Sequence, residues 1–171
     1  MSGFHGHFIG AQIGWENGRA LWVTVVPLYY SSTHLGRTMV IPGEFVTDLA
    51  SVPRLPLAYL LAGGRGTRSA TLHDFPYQFG FWLDAVDGVT HIDVDKQTVD
   101  TVFHESLLAD PISGAGRVSA WQMWAAVRVG GRGIWSKGTT RSEALNPEWS
   151  SDPRFGRSQL GNGGEERYES L

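Results

Sequence analysis

A chain of 171 residues, 42% hydrophobic and 18% charged, is globular and long enough for one domain with a core, but short for two. Its formal net charge of −3 offers no basic face for nucleic acid. It has no cysteine, which excludes disulfides, thiolate chemistry and cysteine-ligated zinc, so any metal would bind through His, Asp, Glu or backbone oxygens.

The opening MSGFHGHFIG lacks the basic start and long apolar run of a signal peptide. Apolar stretches such as ALWVTVVPLYY break well before the roughly 20 residues that span a bilayer. The expectation is a chain made in the cytoplasm with no transmembrane segment. FHGHF, residues 4–8, reads as a strand with His5 and His7 on one side, a spacing able to chelate a metal but also that of a plain surface strand. Residues 19–30 and 37–47 are rich in β-branched and aromatic side chains, with the polar turn SSTHLG between them. Pro27 and Pro42 belong at strand ends or edges, because proline cannot donate to a ladder.

Beyond Pro53 the pattern turns helical. Residues 55–63 form a short apolar helix stopped by Gly63 and Gly64, and residues 67–79 a second. Residues 94–109 place Val99, Val102, Phe103 and Leu107 on one stripe at helical spacing, with Asp93 or Asp95 as cap. Residues 117–131 form a fourth helix with a glycine stop. The expected fold class is α+β: a small antiparallel N-terminal sheet packed with about four helices. Residues 1–138 form that single domain. Residues 139–171, rich in Gly, Ser and charge, form an extended tail whose NPEWSSDPRFG supplies aromatic and Arg anchors for docking on a partner.

Four stretches carry the chemistry: GEFVTDLASVPR (43–54), LHDFPY (72–77), DKQTVDTVF (95–103) and MWAAVRVGG (123–131). In that order they resemble a family of small proteins of unknown function encoded by tailed bacteriophages and prophages. Its members carry Phe-x-Thr-Asp-x-Ala-Ser-x-Pro-Arg, then His-Asp-x-x-Tyr, Ala-Asp-x-x-Phe and Ala-Val-Arg segments. This chain departs from the pattern at Lys96, Val99 and Pro76. The resemblance implies a phage or prophage origin and brings no established reaction.

Asp48 and Ser51 fall where a strand gives way to a turn fixed by Pro53. They either bond nearby backbone N–H groups, with Arg54 paired to Asp48, or serve a site in which Asp48 is a ligand or orienting carboxylate and Arg54 holds an anion. His73 and Asp74 are adjacent on a helix and point about 100° apart, so they meet different partners. Pro76 lacks an N–H, so it releases the Leu72 carbonyl; either the helix ends at Phe75, or it kinks and shapes a polar pocket with a freed carbonyl as cation ligand.

Lys96, Asp100 and His104 share one helix face, a spacing read first as a solvated ion-pair row. In the alternative, Asp100 turns inward and accepts a hydrogen bond from His73 across two helices, which is how a general base or metal ligand is prepared. The stretch AGGRGTRSATLHDFPY followed by Asp100 is locally similar to secreted phospholipases A2, which pair a His-Asp-x-x-Tyr helix with an aspartate from a second helix. Those enzymes depend on cysteines that this chain lacks. His34 and His91 have no partner visible in the sequence.

Three functions follow as expectations. The first is a virion tail or tail-tip component, meeting other phage structural proteins or further copies of itself through the 139–171 tail and its aromatic surface. The second is a metal-dependent hydrolase of the host envelope, acting on peptidoglycan or lipid. There His73 is base or metal ligand, Asp100 orients it, Asp48 or Asp74 is a carboxylate ligand for Zn²⁺ or Ca²⁺, and Ser51 and Arg54 complete the site. The third is a cytoplasmic accessory factor.

Overall fold

The structure is a computed structural model, and it describes residues 1–16, 18–48, 66–110, 117–131, 135, 146 and 152. The strands are β1 (Gly3–His5), β2 (Gly10–Glu16), β3 (Arg19–Thr24), β4 (Leu28–Ser32), β5 (Arg37–Ile41), β6 (Val46–Thr47), β7 (Phe81–Asp84) and β8 (His91–Asp93). The helices are α1 (Thr67–Phe79), between β6 and β7, then α2 (Lys96–Ala109) and α3 (Arg117–Gly130). The α+β expectation holds. Three of the expected helices are here, and the one over residues 55–63 lies outside the described residues.

The two long β-patterns each break at their proline: Pro27 precedes β4 and Pro42 follows β5, so each run becomes two strands. The products are sorted into two antiparallel sheets, ordered β1-β4-β5-β7-β8 and β2-β3-β6, rather than one. β7 and β8, in the segment read as a connection between helices, extend the larger sheet, with Met39 opposite Asp84 and Val40 opposite Leu83. The strand read over FHGHF stops short of His7. Gly6 takes a left-handed φ of 74°, which ends β1 at His5, and the His5 ring bonds the Ser31 hydroxyl at 2.7 Å.

The larger sheet packs against α1, with Tyr30, Met39, Ile41, Leu72, Phe75, Trp82 and Val102 in one core. A second core forms where the three helices meet, around Ala70, Phe103, Leu107, Ala120, Met123 and Val127. The α2 stripe of Val99, Val102, Phe103 and Leu107 is buried as its spacing requires. Asp95 caps α2, accepting from Thr98 N at 2.7 Å. Asn146, inside the segment expected to dock on a partner, is buried against its own chain: its side-chain amide bonds both Val46 N (2.8 Å) and Val46 O (3.0 Å).

Helix α1 is buried on every side from Ser69 to Gln78 and runs through Pro76 to Phe79, where Gly80 closes it with a φ of 84°. The helix therefore does not end at Phe75. The carbonyl that Pro76 releases is taken by Trp82, whose indole N–H donates to Leu72 O at 2.9 Å, so it is not a cation ligand. Trp82 is fully buried, so removing this donor strands a carbonyl. Trp82→Phe should lower the unfolding free energy by about 1–3 kcal/mol in urea titrations. Pro76→Ala, which returns an N–H to Leu72 O, should recover part of that loss in the Trp82→Phe background and not otherwise.

Candidate functional site

The adjacent pair His73 and Asp74 divides between two neighbours, as a 100° step on a helix demands. Both side chains are fully buried. His73 points to α2, where its Nε2 lies 3.1 Å from Asp100 Oδ1. Asp74 points to β6, where the Thr47 hydroxyl donates to its Oδ2 and Gln78 Nε2 donates to the same oxygen at 3.1 Å. Gln78 in turn accepts from Asn146 Nδ2 at 3.0 Å.

Asp100 is the centre of the site, and its burial corrects the reading of a solvated ion-pair row. Its carboxylate is 0% exposed because the Val99, Val102 and Phe103 stripe turns that side of α2 inward. Oδ1 accepts from His73 Nε2 and from the Tyr77 hydroxyl at 2.8 Å. Oδ2 accepts from Lys96 Nζ at 2.7 Å, and Arg128 Nη1 lies 3.5 Å away. His104 does not join this cluster; its ring sits 5.8 Å from Trp124.

The electrostatics follow from these contacts. Burial would raise the Asp100 pKa, but hydrogen bonds from His73 and Lys96, with that from Tyr77, hold it below the ordinary carboxylate range, so the group is ionised. An ionised Oδ1 makes Nε2 of His73 the protonated nitrogen and leaves the ring's lone pair on Nδ1. Burial drives the His73 pKa below its ordinary value, against the pull of the Asp100 hydrogen bond and charge. The ring is held between Tyr77 and Phe103, with centroids 4.2 and 4.6 Å away. Burial and the Asp100 charge push the Tyr77 phenol upward, so it remains a donor.

Asp48 is half-buried just after β6. Ser51 and Arg54 lie outside the described residues. The Zn²⁺ or Ca²⁺ reading finds no donor set: among the described residues no group of three or more His, Asp or Glu could hold a metal ion. The two oxygens of Asp100 accept from His73, Tyr77 and Lys96, and Oδ2 of Asp74 accepts from Thr47 and Gln78. His91, with no partner foreseen, stacks on Phe81 at 3.6 Å.

Sequence reasoning gave no role to Thr47, Tyr77, Gln78 or Arg128. Three of these stand inside the quoted motifs, so the motif spacing was the available signal. Gln78 carries no such signal beyond lying one turn after Asp74.

A buried neutral imidazole makes stability pH-dependent. The His73 pKa is lower in the fold than in the open chain, so below about pH 6.5 the unfolded state binds the proton first and stability is lost as the pH is lowered. Asp100 continues the loss at lower pH, and His104, also lowered by burial, adds to the upper part. The thermal midpoint should decline between pH 7.5 and 5, with a shallower slope in His73→Gln; equal slopes would place the effect elsewhere.

The family model described as "Protein of unknown function (DUF1353)" matches residues 22–127. No curated protein and no solved structure matches the chain. Among the described residues no helix is long and apolar enough to cross a membrane.

Proposed function

Because the chain belongs to the DUF1353 family, a family without an assigned reaction, we propose its function from the site itself: a phage- or prophage-encoded hydrolase in which His73 activates water against an acyl bond of the host envelope. One observation carries this reading. A single oxygen of a buried carboxylate accepts from both the imidazole and a tyrosine, an arrangement that fixes one tautomer and one ring orientation. The local similarity to secreted phospholipases A2 extends to the same three residue types, and favours an ester of a phospholipid over peptidoglycan.

In this reading the neutral His73 ring takes a proton from water as the water oxygen bonds to the acyl carbon. The bond to the alkoxide leaving group then breaks, and the leaving oxygen takes that proton back. Asp100 stabilises the imidazolium in between and keeps its own charge. The depressed His73 pKa keeps the base neutral at pH 7, and the rate should rise with pH through a pKa below the ordinary histidine value. The ring has no exposed surface, so its cover must open before substrate reaches it. The order of the four motifs along the chain supports the phage origin.

The test is release of fatty acid from phospholipid vesicles, with peptidoglycan sacculi as the second substrate. His73→Gln should lose about 10²–10⁴-fold in rate while its melting profile at neutral pH stays that of a folded protein. Full activity in that variant, or no release from either substrate by the wild type, overturns the reading.

A second reading, a virion tail component, is favoured by the exposure of large apolar side chains: Trp15 is 71% and Trp121 58% exposed, and Val118 and Val129 of α3 are exposed as well. The two readings are compatible. Quantifying the chain in purified particles decides the second, which requires a fixed copy number per virion.

A further inference from the structure

The C-terminal end of α3 meets the Asp100 centre at three points. Lys96 Nζ, besides its bond to Asp100, donates to Val127 O at 3.2 Å and Arg128 O at 3.4 Å. An ammonium has three donors, so Lys96 divides them between the carboxylate and the helix end. Those carbonyls belong to the last turn of α3, at the negative end of the helix dipole, and Val127 O also accepts from Gly131 N at 2.9 Å. The second contact is Arg128, at the same carboxylate oxygen as Lys96.

The third contact is Gly131, just past the helix. A Cβ there would stand 2.5 Å from the Tyr77 hydroxyl oxygen and 2.6 Å from Val127 O, so only a residue without a side chain lets the phenol sit where it does. Trp135 meets the same phenol edge-on at 5.1 Å. The groups around Asp100 are then His73 and Tyr77 from α1, Lys96 from its own helix and Arg128 from α3. The charges of Asp74 on His73 and of Asp95 on Asp100 add to these contacts.

We infer that the end of α3 is the positioning device of the centre: Lys96 and Arg128 fix one oxygen of Asp100, Gly131 seats the Tyr77 hydroxyl, and the other oxygen is thereby presented to His73. None of the three touches a reacting atom. The inference rests on the hydrolase reading only for its catalytic consequence, because the geometry can be read without any turnover.

The experiment is titration of the His73 ring nitrogens by NMR in the full chain. Lys96→Met should move His73 protonation to higher pH, and Lys96→Arg should hold it near the wild-type position. Gly131→Ala should also shift His73, and that shift should vanish in a Tyr77→Phe background, since Gly131 acts through the phenol. A purely structural glycine would give additive effects. If Lys96→Met does not fold, Arg128→Gln replaces it with the same expected direction.

An unchanged His73 titration in the Lys96 or Arg128 variant, or additive effects at Gly131 and Tyr77, overturns the inference. On phospholipid vesicles Lys96→Met should lower kcat by about tenfold or more with KM held. Shifted titrations in a wild-type protein that releases nothing would remove the hydrolase and keep the positioning device. Turnover with an unmoved His73 would do the reverse.

Discussion

A carboxylate taken out of water costs several kcal/mol unless donors replace its hydration, and Asp100 sits where all three described helices meet that cost together. α1 supplies an imidazole and a phenol, α2 an ammonium, and α3 a guanidinium. No single helix could satisfy the group. The mutual placement of the helices is therefore fixed by one side chain as well as by the apolar cluster of Phe103, Leu107, Ala120 and Met123 beside it.

The second buried carboxylate, Asp74, works on a different side of α1. Asp74 ties α1 to β6 through Thr47, and Gln78 extends that link to Asn146. Two adjacent titratable residues in an apolar helix thus serve two separate interfaces, one between helices and one between helix and sheet. Pro76 belongs to the same economy: the carbonyl it leaves behind is the acceptor that Trp82 needs in order to bury an indole completely.

Much of this was legible from residue order. The pattern predicts the helix over residues 67–79 and leaves its end at Pro76 open, the α2 stripe follows from its spacing, and the strand breaks from Pro27 and Pro42. The His73 to Asp100 contact was named as one of two options, and periodicity alone preferred the wrong one. A Lys–Asp–His row looks the same whether its face meets water or another helix; the deciding apolar contacts come from α1 and α3, distant in sequence. β7 and β8 escaped for a similar reason. Phe81, Trp82 and Leu83 are buried on both faces of the strand, so they show no alternation, and three residues of β8 carry too little pattern. The double role of Lys96 was illegible, because it depends on carbonyls, which no side-chain pattern records.

The Asn146 amide presents a carbonyl and an N–H to Val46 in the way a neighbouring strand residue would. β6 is the outer strand of its sheet as described, and bare outer strands recruit foreign chains into unwanted assemblies. A residue arriving from a hundred positions downstream closes that rim with a single planar group. The covered backbone lies next to Thr47, which reaches in to hold Asp74.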